Sequence, residues 1–104
     1  MTYAANALVA LADPTRRAIF ERLATRRMSV SNIAASLPIS RPAVSQHLKV
    51  LKNAGLVTDR AEGTRRIYQV DPAGLGPLRA WLDRFWGDKL EAFKNAAESD
   101  HEDE

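Results

Sequence analysis

Five side chains between positions 41 and 49 carry the most specific chemistry in this chain: Arg41, Pro42, Ser45, Gln46 and Lys49. A guanidinium can take two acceptors of a guanine edge at once, and a carboxamide can pair with both polar edge atoms of adenine. A hydroxyl serves either base, and an ammonium neutralises phosphate. At 3.6 residues per turn, Pro42, Ser45, Gln46 and Lys49 fall opposite Leu48, while Arg41 stands at the exposed N-terminal end of the same helix. On an isolated helix such a face is more simply a solvated surface. The surrounding elements decide between the two readings.

Ser40 is a suitable cap for that helix, Pro42 fits its first turn, and Gly55 is suited to its C-terminal stop. Its apolar positions Val44, Leu48 and Leu51 recur at i, i+4 and i+7, one inward stripe. A shorter helix precedes it, capped by Ser29, with Val30, Ile33, Ala34 and Leu37 inward and Pro38 as its end. The four-residue connection Leu37-Pro38-Ile39-Ser40 is of the length that joins a helix-turn-helix. Upstream, Tyr3 to Ala12 reads as a helix with Leu8 and Leu11 on one face. Asp13-Pro14 starts a second helix, which buries Ile19, Phe20 and Leu23 and frays at Thr25 to Arg27. In that setting the polar face at 41–49 is expected to read double-stranded DNA from the major groove.

Downstream, Leu56 to Arg60 and Arg65 to Val70 are rich in β-branched and aromatic residues, and Ala61 to Thr64 makes a turn with Gly63 supplying positive φ. A hairpin after a reading helix is a wing, and Arg65 and Arg66 beside its tip suit phosphate or the minor groove. By strand alternation Arg66 could instead turn toward the body with Tyr68 and Val70. Asp71-Pro72 opens a last helix, with a loop through Gly74 and Gly76 as an alternative start. Its apolar positions are Leu75, Leu78, Trp81, Leu82, Phe85, Trp86, Leu90 and Phe93. That inventory is too large for one thin domain to hide, so Leu8, Leu78, Trp81, Leu82, Phe85 and Trp86 are expected at a homodimer interface. The expected fold class is α+β and mostly helical, with about five helices and a two-stranded hairpin.

The 104 residues make one domain, read as 1–97, with 98–104 an acidic and disordered tail. The +2 net charge hides an asymmetry: five of the 13 acids lie in the last seven positions, and between Arg16 and Arg66 eleven Lys or Arg stand against Glu21, Asp59 and Glu62. Such an excess attracts phosphate. The absence of cysteine excludes disulfides and thiolate metal sites. No apolar run approaches a membrane span and no leader pattern opens the chain, so a cytoplasmic protein without membrane association is expected. No Gly-rich phosphate loop or pair of catalytic carboxylates is visible. Ser45 and His47, two apart on a helix, point in different directions, and His47 fits a structural role better than a chemical one. An enzyme is therefore not expected, and no cofactor or metal is either.

Three stretches resemble the ArsR/SmtB family of winged-helix repressors: Ala10-Leu-Ala-Asp-Pro-Thr-Arg-Arg17, Ile39-Ser-Arg-Pro-Ala-Val-Ser-Gln-His-Leu-Lys-Val-Leu-Lys-Asn-Ala-Gly-Leu-Val57 and Gly63-Thr-Arg-Arg-Ile-Tyr-Gln-Val70. The resemblance implies an α+β winged helix, dimerisation through the first and last helices, and an inverted-repeat operator. It also implies repression of the protein's own or neighbouring genes, relieved by a metal or other inducer. Metal-sensing members carry cysteines in the helix before the reading helix, where this chain has Met28-Ser-Val-Ser-Asn-Ile33. The chain thus resembles the cysteine-free members, which leaves room for a small-molecule inducer. A second reading is a protein–protein module built on the same fold, which salt-dependent binding of duplex DNA would distinguish.

Overall fold

The computed structural model describes residues 3–102; within them, the side chains of 3, 86–92 and 99–102 are not described. The elements run α1 (Tyr3–Ala12), α2 (Pro14–Thr25), β1 (Met28–Ser29), α3 (Val30–Ser36), α4 (Arg41–Asn53), β2 (Val57–Glu62), β3 (Arg65–Val70) and α5 (Pro72–Glu102). The expected caps form. Asp13, Ser29 and Ser40 each accept a hydrogen bond from the backbone N–H three residues on, and Pro14 and Pro42 occupy first-turn positions where a missing N–H costs little.

Ile19, Ile33, Val44, Leu48, Leu51, Leu56 and Val57 are fully buried and bring α2, α3, α4 and the root of the hairpin onto one core. On α1 the inward face is small: Ala4, Ala7 and Ala10 are buried, whereas Leu8 is 39% and Val9 64% exposed. The structure divides Leu8 from Leu11, which the sequence places on one face: Leu11 packs against the core and Leu8 faces outward.

The sheet exceeds the expected hairpin by one strand. β1 adds antiparallel to β3, with Met28 opposite Tyr68 and Ser29 opposite Ile67, giving the order β1-β3-β2. Two residues are too short a run for sequence periodicity to register. The hairpin strands extend to Glu62 and Arg65, which face each other across a two-residue loop, Gly63-Thr64, rather than a four-residue turn. Gly63 has φ +62° and no non-glycine residue among those described has positive φ, the pattern of a type II′ turn.

At the other end of the hairpin, α4 stops in a Schellman arrangement. Gly55, at φ +78°, donates its N–H to the Lys52 carbonyl, and Leu56 donates to that of Leu51. The N-terminus of α5 sits on this corner: Asp71 N–H bonds the Leu56 carbonyl, and Gly74 lies against the Gly55 carbonyl. The loop considered through Gly74 and Gly76 is absent, because α5 begins at Pro72 and runs through both glycines and Pro77. Glycine here answers to packing rather than to a turn.

A Cβ on Gly74 would stand 1.5 Å from the Gly55 carbonyl oxygen, whereas one on Gly76 would meet nothing within 4 Å. Gly74→Ala is expected to destabilise the protein by about 3 kcal/mol. Gly76→Ala should stabilise it by about 0.5–1 kcal/mol through helix propensity alone. Thermal melts at one protein concentration should therefore shift in opposite directions; equal shifts would contradict the close approach.

Candidate nucleic-acid interface

The buried stripe of α4 sets its rotation. With Val44, Leu48 and Leu51 fully buried, Arg41, Pro42, Ser45, Gln46 and Lys49 are all exposed. Within that face two directions separate. Pro42, Gln46 and Lys49 point away from the core, while Arg41, Ser45 and Lys52, spaced by four and seven, share the flank turned toward the hairpin.

Arg41, Pro42 and Ser45 line a groove of about 460 Å³ with Ser29, Val30 and Ser31 from the start of α3 and Thr64, Arg65 and Arg66 from the hairpin tip. Of the residues expected to meet DNA, five thus converge on one groove. Gln46 and Lys49 stand on the adjoining ridge rather than in it.

Both wing arginines are tied to the body. Arg65 donates through Nη2 to Ser29 Oγ at 3.0 Å. Arg66 donates through Nη1 to Asp59 Oδ2 at 3.0 Å, and the other carboxylate oxygen of Asp59 meets Lys52 Nζ at 2.8 Å. On the outer side of the hairpin, Glu62 joins Arg27 and Arg60 in exposed pairs of 3.0 and 2.9 Å. Lys52, Asp59 and Thr64 were not singled out in the sequence. A signal for Lys52 was present, since it continues the flank of Ser45 at i+7. For Asp59 the signal was an acid isolated within a basic stretch.

The Lys52 ammonium bonded to Asp59 holds its carboxyl below the usual range, aided by the Arg66 guanidinium and opposed by burial. Asp13 is also lowered, chiefly by the Arg16 backbone N–H it accepts as helix cap, with the charges of Arg16 and half-buried His47 adding to this.

Ser29, which caps α3, does not suit a metal. Ser29 Oγ accepts from both the Asn32 N–H, at 3.2 Å, and the Arg65 guanidinium, so its lone pairs are engaged and a cation already stands beside it. Among the described residues no group of three or more His, Asp or Glu converges as a metal site.

The apolar residues expected at an interface lie on two helices that touch, α1 and α5. Leu78 packs against the core; Trp81 and Leu82 are half-buried; Phe85 is 56% exposed and meets Trp81 edge-on with ring centroids 4.8 Å apart. Phe93 is 73% exposed, and the side chains of Trp86 and Leu90 lie outside the described residues. The backbone of α5 continues to Glu102, through part of the acidic segment 98–104. No helix among the described residues is long and apolar enough to cross a membrane.

Residues 11–60 match a family model described as a helix-turn-helix domain. The chain is 58% identical over 94 residues to the HTH-type transcriptional regulator Rv2034 of Mycobacterium tuberculosis, covering 90% of this chain and 88% of that protein. Among solved structures it is similar to an ArsR-like transcriptional regulator from Rhodococcus sp. RHA1, with a TM-score of 0.74 at 34% identity, covering 91% and 92% of the two chains. It is also similar to the homodimeric winged helix-turn-helix DNA-binding domain of Mb0332 from Mycobacterium bovis, described as a possible ArsR-family regulator. There the TM-score is 0.67 at 31% identity, covering 86% of this chain and 83% of that one.

The two lowered carboxyls give stability a direction with pH. Their folded pKa values lie below the ordinary 3.8, so their contribution is complete above about pH 4 and is lost as pH falls through the folded values. Urea midpoints should be steady with respect to these groups from pH 7 to 5 and decline below about pH 4. Asp59→Asn should lower the midpoint at pH 7 and make the acid limb shallower; an unchanged limb would show that Asp59 carries none of it.

Proposed function

Because this chain belongs to the ArsR/SmtB family of winged helix-turn-helix transcriptional regulators, which bind DNA, we propose that it acts as a homodimeric repressor reading an inverted-repeat operator. The observation that carries the residue assignment is the groove shared by the N-terminus of α4 and the hairpin tip, lined by Arg41, Ser45 and Arg65. A duplex whose major groove receives α4 brings base edges to Arg41, Ser45 and Gln46, with Pro42 allowing close approach and Lys49 facing phosphate. Arg65 at the tip meets the backbone or the minor groove. Arg66, held by Asp59, supports the wing.

Support for the dimer comes from the inverted packing of α1. Its alanines face the core while Leu8 and Val9 face outward, beside a cleft of about 380 Å³ bounded by Val9 and Val50 and on the helix that touches α5. Leu8, Trp81, Leu82, Phe85 and Trp86, with Leu78 behind them, form the proposed interface, and residues 1–97 form the reading and dimerising unit. A two-fold partner would set the two α4 helices about one DNA turn apart, roughly 34 Å.

Two measurements test this reading. Light scattering at micromolar concentration should give twice the chain mass of 11.5 kDa, and Phe85→Asp should shift it toward the monomer; a wild-type monomer would overturn the dimer. Footprinting on the protein's own upstream region supplies a candidate operator. On it Gln46→Ala should cost about 1–3 kcal/mol while leaving binding to scrambled duplex nearly unchanged. Equal losses on both duplexes would remove Gln46 from sequence reading.

A further inference from the structure

Asp59 is an acid on a surface otherwise built to attract phosphate. Of the three acids between Arg16 and Arg66, Glu21 is exposed on α2, and Glu62 is half-exposed between Arg27 and Arg60 on the outer side of the hairpin. Asp59 alone sits inside the angle between α4 and the hairpin, with its side chain 7% exposed. A carboxylate in that place repels an approaching duplex, so it lowers affinity by its charge alone.

What it does instead is bridge. One oxygen takes Lys52 from the last turn of α4, on the same flank as Arg41 and Ser45; the other takes Arg66 from β3, which lines the same groove as those two residues. Asp59 itself belongs to β2. One carboxylate thus joins the reading helix to both strands of the wing, through two charge-assisted contacts whose acceptor is shielded from water. Lys52 and Arg66 remain about half exposed, with side-chain exposures of 53% and 55%. Without Asp59 both would be free to reach phosphate. Lys49, one turn before Lys52, makes no ion pair among the described residues and is the natural comparison.

We propose that Asp59 is a positioning and specificity-determining residue: it sets the wing against the reading helix and withholds Lys52 and Arg66 from phosphate, favouring the operator over other DNA. The inference rests on the DNA-binding reading above. Affinity for random sequence comes almost entirely from phosphate contacts, whereas sequence choice needs helix and wing held in one orientation. A residue that removes two cations from the first and stiffens the second raises the ratio between them.

The test uses the full chain and two duplexes of about 30 base pairs, one random and one enriched from a randomised library by the wild-type protein, titrated by anisotropy from about 50 to 300 mM salt. In Asp59→Asn, the salt slope on the random duplex should steepen by about one to two units as one or two new phosphate contacts form. The ratio of enriched to random affinity should fall by about tenfold. Asp59→Glu, which keeps the charge, should recover part of both. Lys52→Met should leave the slope on random DNA unchanged, whereas Lys49→Met should flatten it by about one unit.

An unchanged slope or an unchanged ratio in folded Asp59→Asn overturns the proposal. So does a Lys52→Met variant that behaves like Lys49→Met. Should Asp59→Asn fail to fold, the contrast between Lys52 and Lys49 decides alone. A wild-type chain that binds neither duplex at low salt would overturn the DNA reading itself, and this inference with it.

Discussion

The burial of one stripe on α4 governs everything that surrounds it. Val44, Leu48 and Leu51 are sealed against α2, α3 and the hairpin root, and a helix pinned along one line has no freedom left in its rotation. At 3.6 residues per turn, that line determines which side chains stand outward and which look toward the wing. Arg41 and Ser45 face the groove because the three apolar residues do not, and Lys52 on the same flank meets Asp59. The core therefore aims the polar face as well as stabilising the fold, and an error in packing would be an error in reading.

This is also why so much of the molecule was legible from the chain alone. Caps at Asp13, Ser29 and Ser40 obey local rules that need only a few neighbouring residues, and helical periodicity assigns faces without knowledge of the partner. What escaped was non-local. Strand β1 consists of Met28 and Ser29, and its only justification is the free edge of β3 forty residues away. Gly74 invited a loop by its type, but its reason is the Gly55 carbonyl pressed against it from another element. The bridge at Asp59 joins α4, β2 and β3, and no spacing within one element could announce it. Leu8 shows the limit of periodicity from the other side. It lies on a face of α1 that looks apolar, yet the core chose alanines and left Leu8 outward.

Ser29 illustrates how one side chain can remove a chemistry while adding a constraint. Its hydroxyl caps α3, anchors Arg65 and sits in strand β1 against Ile67. A cation would have to displace a guanidinium to reach it. The segment thus exchanges a ligand set for a tether, so the wing is fastened near its tip through Ser29 and along its strands through Asp59.

The contact between Gly55 and Gly74 has a mechanical side. Where two helices meet through side chains, rotamers can yield and absorb small shifts; here backbone rests on backbone, with nothing to compress. The long α5 is therefore hinged to the end of the reading helix at a hard bearing close to its own start. At 1.5 Å per residue its 31 residues form an arm of about 45 Å. Such an arm works like a long-handled lever in reverse: a displacement of a few ångströms at its far end becomes only a few degrees of tilt at the bearing.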